Sequence, residues 1–294
     1  MLALGLRFGA MALLATLSLL VKLAGQSGIA LPEIMFWRQA LTIPLVLVGL
    51  AAAGRLSSLR SERLPAHAVR AAIGNIGMFC NFAAVIALPL AEATVLGFTT
   101  PLFAVILGVL LMRQTVGRWR IAAVLLGFVG VLIIAQPGGS PLPPLGAAAG
   151  VASGFMVALI SFQIRDLART EAPLTIVFWF STLSAPVLAL FLPFYATHHT
   201  GAQWLLLMAI GVTGIAAQFL LSAALRYGAV ISVIVMDYTA LIWAALYGWA
   251  LWGQAPTQAT WLGAPIIVVA GLMIAWREHK LAKAQSPTSA LLGD

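Results

Sequence analysis

Apolar runs of about twenty residues recur along the whole chain, separated by short polar links, and each can cross the hydrocarbon core of a bilayer as a helix. Ten are read: Leu4–Ala24, Ile34–Ala53, Val69–Pro89, Ala91–Met112, Trp119–Ala135, Leu145–Ile164, Leu174–Phe194, Gln203–Leu225, Ala229–Trp252 and Gln258–Trp276. The pattern predicts an all-α polytopic membrane protein of ten transmembrane helices. Only the link Gly54–Ala68 has any length, and it is polar and basic. Residues 278–294 are polar and predict a disordered cytoplasmic tail.

The runs repeat in a second way. Leu88–Leu102 aligns with Tyr227–Leu241, placing Thr100 on Thr239 and Leu102 on Leu241, and Gly130 then falls on Gly271. Ile34-Met35-Phe36-Trp37 aligns with Ile176-Val177-Phe178-Trp179, Leu41 with Leu183 and Pro44 with Pro186. The chain therefore reads as two units, 1–137 and 138–277, of five spans each. An odd number of spans makes the second unit enter the membrane from the opposite side. The result is an inverted repeat, the arrangement of many secondary transporters.

Composition sharpens the class. With 62% hydrophobic and 8% charged residues, a soluble core is excluded. The net charge of +8 suggests nucleic acid, but the basic residues sit between apolar spans, as cytoplasmic loops require. With the N-terminus inside, all Lys and Arg except Lys22 and Arg38 fall on inner segments. Both termini are thus predicted cytoplasmic and the protein integral to the inner (plasma) membrane. Lys22 also argues against reading the first span as a cleaved signal peptide. The single cysteine, Cys80, excludes a disulfide framework. The four histidines fall in predicted loops or the tail, so no buried metal site and no cofactor are expected.

Few polar residues lie within the spans. Asp237 stands eight residues into the ninth, roughly 12 Å from the inner edge of a core about 30 Å thick. A carboxylate there is costly unless protonated, paired or in water. Small residues, Ala240, Ala244 and Gly248, share its helix face. Arg38 lies about 6 Å below the outer end of the second span, leaving a vertical gap of about 10 Å that side chains or a substrate would bridge. The leading assignment gives Arg38 an anionic substrate group and Asp237 a cationic group or a coupling proton; a structural ion pair is the plainer account. Asn81, near the midplane, ranks above Asn75 and Gln218 as a cavity residue, although interhelical hydrogen bonding would explain all three. Glu92 is a second proton-coupling candidate, although a charge at a helix N-terminus explains it without transport. Lys22 and Glu33 read as a snorkelling lysine and an interfacial carboxylate. The glycines Gly146, Gly150 and Gly154, like Gly5 and Gly9, read as close helix packing. Pro44 and Pro186 are tolerated kinks or hinges. Trp119, Trp204, Trp261 and Trp276 are interfacial anchors.

These features together resemble the drug/metabolite transporter superfamily, specifically its ten-span EamA-type family, over about residues 4–277. The likeness is carried by Pro32-Glu33-Ile34-Met35-Phe36-Trp37-Arg38 at the opening of the second span, by Ala91–Pro137 with Gly127-Phe128-Val129-Gly130, and by Asp237-Tyr238-Thr239-Ala240-Leu241-Ile242-Trp243. Tyr238 and Trp243 of that last segment join Arg38, Asn81 and Asp237 as substrate-binding candidates. Gln114 and Gln254 stand near places where the family has Glu. The resemblance implies alternating access around a central cavity between the repeats. It also implies a small organic substrate, since family members move amino acids, vitamins, nucleoside-like metabolites and toxic amphiphiles.

A secondary transporter of an amino-acid-like, vitamin-like or nucleoside-like metabolite is the leading function, driven by protons, another ion or the substrate's own gradient. The chain has no phosphate-binding G-x-x-x-x-G-K-[ST] loop. A lipid-modifying intramembrane enzyme would need a nucleophile and base at membrane depth, where the spans offer no histidine. A channel would need a selectivity filter that nothing here resembles. The expected partners are a small-molecule substrate and membrane lipids, not nucleic acid, with the chain a monomer or homodimer. The topology predicts that cysteines placed at Ser61 and Ser140, in a Cys80→Ala background, label from opposite sides, Ser61 from the cytoplasm. Impermeant maleimide on whole cells checks this, and labelling of both from one side contradicts it.

Overall fold

A computed structural model of the chain describes residues 2–112, 117–136, 142–227 and 235–285. All regular structure among them is helical. The long helices of the first half are α1 (Leu2–Gln26), α2 (Leu31–Ala52), α3 (Leu64–Ala87) and α6 (Arg118–Ala135), with the shorter α4 (Leu90–Gly97) and α5 (Thr100–Met112) before α6. The second half holds α7 (Pro144–Leu167), α8 (Pro173–Ala189), the single turn α9 (Leu192–Tyr195), α10 (Gly201–Tyr227), α11 (Ala240–Trp252) and α12 (Gln258–Gln285). Two 3-10 turns, Leu56–Leu59 and Val235–Thr239, complete the described elements.

Among the described residues, eight helical stretches are long and apolar enough to cross a membrane, and Pro173–Ala189 is a shorter apolar helix. The ninth expected span begins in residues 228–234, which lie outside the described residues, as do Gln114, Ser140 and 286–294. Proline sets several starts: it occupies the first turn of α2, α3, α7 and α8, where its missing N–H would have no helical partner anyway. Pro65 starts α3 five residues before the expected Val69. The polar stretch expected to open the tail is helical as far as Gln285.

The fourth expected span is not one helix. It breaks between Gly97 and Thr100. Pro101 is the cause: it has no N–H, and its ring clashes with the carbonyl four residues earlier, that of Gly97. The hydroxyls of Thr99 and Thr100 donate to the carbonyls of Leu96 and Gly97 at 2.7 and 2.9 Å. In the second half, Thr239 sits at the start of α11 and its hydroxyl donates to the Met236 carbonyl at 2.6 Å. The two positions aligned by sequence, Thr100 and Thr239, thus occupy equivalent helix starts.

Helices of the two halves pair with one another: α1 with α10, α3 with α7, α6 with α12, α2 with α8 and α4 with α11. The core between them includes Val21, Ile34, Leu88, Leu90, Leu96, Ile134, Leu207, Ile210 and Ile267. Large apolar side chains such as Val48, Leu110, Leu125, Leu205, Phe219 and Trp249 are exposed, as faces against lipid must be. Lipid tails are as apolar as leucine, so close packing rather than water exclusion must join the helices, and small residues permit it. Gly146, Gly150 and Gly154 of α7 lie against Leu88, Leu96 and Thr99. A methyl at Gly154 would stand 2.0 Å from Thr99 Oγ1, whereas one at Gly5 would meet nothing within 4 Å. Gly154→Ala is therefore expected to cost about 1–3 kcal/mol and Gly5→Ala almost nothing, measured by denaturation of the purified protein in detergent.

Candidate functional site

The break between α4 and α5 meets the 3-10 turn that leads into α11. The Phe98 and Tyr238 rings, one from each, stand edge to face with centroids 5.0 Å apart. Beside them, Asp237 lies in the 3-10 turn rather than within a continuous helix. Arg7 of α1 grips it with two bonds, Nε to Oδ1 at 2.6 Å and Nη2 to Oδ2 at 2.7 Å. A two-bond guanidinium–carboxylate pair is the strong form of the interaction and neutralises both charges where solvation is poor. Sequence reasoning assigned Asp237 to Arg38 and counted Arg7 among the inner-loop charges. Arg7 instead stands inside α1, and the expected Arg38 complement is replaced. Trp243, one turn into α11, packs on Phe8 at 5.5 Å and near Tyr247, whose hydroxyl meets that of Thr16 at 2.9 Å. Among the described residues, the Trp243 indole nitrogen is buried without a hydrogen-bond partner.

Arg38 belongs to a second group, between α2, α3, α8 and α10. Its Nη1 lies 3.2 Å from Met78 Sδ and 3.4 Å from Gln39 Oε1, its guanidinium faces the Phe82 ring at 5.9 Å, and it flanks Gly214 of α10. Gln39 Oε1 also accepts the Ser181 hydroxyl of α8 at 3.2 Å. About two turns back along α3 from Met78 lies Arg70, whose guanidinium sits 4.3 Å over the Phe180 ring. Gly74 makes room for it: a methyl there would stand 2.1 Å from Arg70 Nη1 and 2.6 Å from the Phe180 ring. Among the described residues, no carboxylate pairs with either arginine, and Arg38 Nε, Arg70 Nε and Arg70 Nη1 are buried with no hydrogen bond. Gly74 and Met78 are one turn apart, so the two guanidiniums lie along the same face of α3, and their like charges repel. Asn75 and Asn81 flank the same face of α3; Asn75 Oδ1 is buried and unbonded, and Asn81 is half-buried. Gln218 is half-buried on α10.

Polar contacts join the halves at both ends of this region. At the end marked by the start of α2, Glu33 Oε1 meets His199 Nε2 at 2.5 Å, and Trp37 stacks edge-on against Trp204 at 4.9 Å. Glu33 is thus a buried partner rather than an open interfacial carboxylate, while Trp204 stays 40% exposed beside Trp37. Lys22 does not snorkel. It is 5% exposed, and its ammonium donates to the carbonyls of Val85, Ile86 and Leu88, where α3 leaves acceptors unpaired. Glu92, fully buried, accepts from the Thr257 N–H at 3.1 Å and the Thr260 hydroxyl at 2.9 Å, capping the start of α12. At the other end, the linker after α2 is pinned to the α7–α8 turn. Ser61 donates to Glu171 at 2.6 Å, Arg63 pairs with Asp166, and Trp179 Nε1 donates to the Leu59 carbonyl at 2.9 Å. His67, expected in a loop, is buried in α3 with Nε2 3.8 Å from Glu171.

The model of the EamA-like transporter family matches residues 1–136 and again 144–276. The chain belongs to that family. Among EamA-like relatives, the riboflavin transporter of Vibrio cholerae is 31% identical over 265 residues, covering 88% of this chain and 87% of its own. The pseudopaline exporter CntI of Pseudomonas aeruginosa is 29% identical, covering 87% of this chain and 90% of its own. The S-adenosylmethionine uptake transporter of Rickettsia bellii is 26% identical over 76% of this chain and 77% of its own. A solved crystal structure shares the fold with a TM-score of 0.62 at 24% identity, covering 95% of this chain and 98% of that one. An EamA-like chain with these contacts uses Glu92 as a helix cap. Glu92→Gln keeps an acceptor oxygen for Thr257 and Thr260 and is expected to lower transport less than tenfold. Complete loss in a well-folded variant, measured by flux in proteoliposomes, would give Glu92 a coupling role instead.

Proposed function

We propose that the chain is a secondary transporter that carries a small organic metabolite across the inner membrane by alternating access between inverted repeats, 1–137 and 138–277. The observation that carries this reading is the meeting of the interrupted fourth span with the 3-10 turn before α11, Phe98 against Tyr238, with the Arg7–Asp237 pair lodged beside it. Discontinuous helices at mid-membrane are where transporters of this kind bind substrate and coupling ion. The helix pairing supports the repeat. Exchanging the halves turns the α1–α10 pair into α7–α3 and returns α6–α12 and α2–α8 onto themselves. The double family match supports it too. The relatives named as riboflavin transporter, pseudopaline exporter and S-adenosylmethionine uptake transporter support a substrate of metabolite size. In this reading the termini and the Ser61 end are cytoplasmic, and the Glu33 end is external. Either set of end contacts opens while the other holds.

The substrate-binding set is Arg38, Asn81, Asp237, Tyr238 and Trp243. Asp237 is also the proton-coupling residue: taking up a proton releases Arg7, and losing it restores the pair. Purified protein in proteoliposomes is expected to show saturable uptake with counterflow. Asp237→Asn and Arg38→Gln should each abolish active transport while the protein stays folded. Asn81→Leu should weaken apparent affinity about tenfold, or ~1.4 kcal/mol. If Asp237→Asn keeps both rate and pH dependence, Asp237 neither binds nor couples. Ohmic single-channel current in place of counterflow would overturn alternating access itself.

A further inference from the structure

The transport reading leaves the substrate's charge open, and the second buried arginine decides it. Arg70 was counted by its sequence position as a loop charge, but α3 begins at Leu64 and carries it inside the helix. There it folds back over Gly74 and onto Phe180, close to Arg38, which rests on Met78 one turn away. We infer that Arg38 and Arg70 form a two-guanidinium receptor and that the substrate is an organic anion, bound through carboxylate-type oxygens that bridge them.

Three observations carry the assignment, and it rests on the transport reading above. Both guanidiniums are enclosed by protein, yet among the described residues neither has a carboxylate partner, unlike Arg7 and Arg63, which do. Each is held instead against an aromatic ring, Phe82 for Arg38 and Phe180 for Arg70, which fixes the charge without cancelling it. Donors that point at no acceptor accompany them: Arg38 Nε, Arg70 Nε and Nη1, and the Gln39 amide nitrogen are all buried and unbonded. Two like charges on one face of α3 are held there at a cost, and an anion between them reverses its sign. Guanidinium forks match the two oxygens of a carboxylate, and two forks offer places for two carboxylates. The Gln39–Ser181 hydrogen bond fixes the donor side of the wall, so the receptor bridges α2, α3 and α8 and draws on both halves of the chain.

The test is thermal denaturation of the purified full-length protein in detergent with matched probes: succinate and glutarate against succinamide and glutaramide, at equal ionic strength. The dicarboxylates are expected to raise the melting temperature saturably, by about 3 °C or more at high occupancy, and the diamides to leave it unchanged. Arg38→Gln and Arg70→Gln should each remove the dicarboxylate effect. Arg70→Lys keeps the charge without the fork and should retain a reduced part of it. Arg60→Gln, which removes one exposed charge from the linker, should retain all of it. Equal shifts with acids and amides, no saturable shift with either acid, or a shift that survives in the Arg38→Gln Arg70→Gln double variant would overturn the assignment. Saturable counterflow of a neutral or cationic compound in proteoliposomes would leave the transporter standing and remove the anion.

Discussion

Hydrocarbon cannot solvate a charge or an unpaired peptide group, and every local decision in this fold answers to that constraint. Where α3 ends below the surface, Lys22 supplies donors to its last carbonyls. Where α12 begins, Glu92 supplies an acceptor to its first N–H groups. Where Pro101 forbids a continuous helix, threonine hydroxyls take over the carbonyls it releases. Asp237 is tolerated at a break because Arg7 reaches it from the neighbouring helix with both of its forward nitrogens. These four solutions come from different parts of the chain, and each ties an early helix to a later one or to itself. The polar groups of the interior are therefore part of the packing, not exceptions to it.

Against that background the Arg38–Arg70 region is the place where the constraint is left unanswered. Aromatic faces and a thioether are weak compensation for two full charges. Arg7 and Arg63, by contrast, find carboxylates. The Asp237 carboxylate is closed by Arg7, whereas Arg38 and Arg70 meet no carboxylate among the described residues. Helix α1 also passes beside Arg38: Leu17 and the Arg38 guanidinium lie against the same glycine, Gly214.

Much of the architecture was legible because hydropathy has a fixed length scale in a bilayer. Apolar runs of one bilayer's thickness can only be helices, and the alignment pairs Thr100 with Thr239, although both runs read as continuous and neither helix start at these threonines is foreseen. Boundaries failed where proline chemistry outweighed hydropathy. Pro65 starts α3 early and so conceals Arg70 from a reading that treats arginine as a loop marker. Pro101 splits a run that looks continuous. The partner of Asp237 was also beyond reach, since Arg7 and Arg38 are equally plausible by composition, and only the packing of α1 against the second break chooses between them. His199 carries no signal at all: it is a loop residue whose burial depends on where Glu33 happens to arrive from a distant helix.

One joint in the structure has a mechanical meaning. Where α6 and α12 cross, a methyl on Gly130 would stand 2.9 Å from the Gly263 carbonyl, and one on Gly263 would stand 2.7 Å from the Gly130 carbonyl. The two helices touch backbone to backbone. Side chains can hop between rotamers and let packed surfaces slide, but a contact made of peptide groups has no such freedom. The α6–α12 crossing is therefore a stiff strut that joins the two halves of the chain.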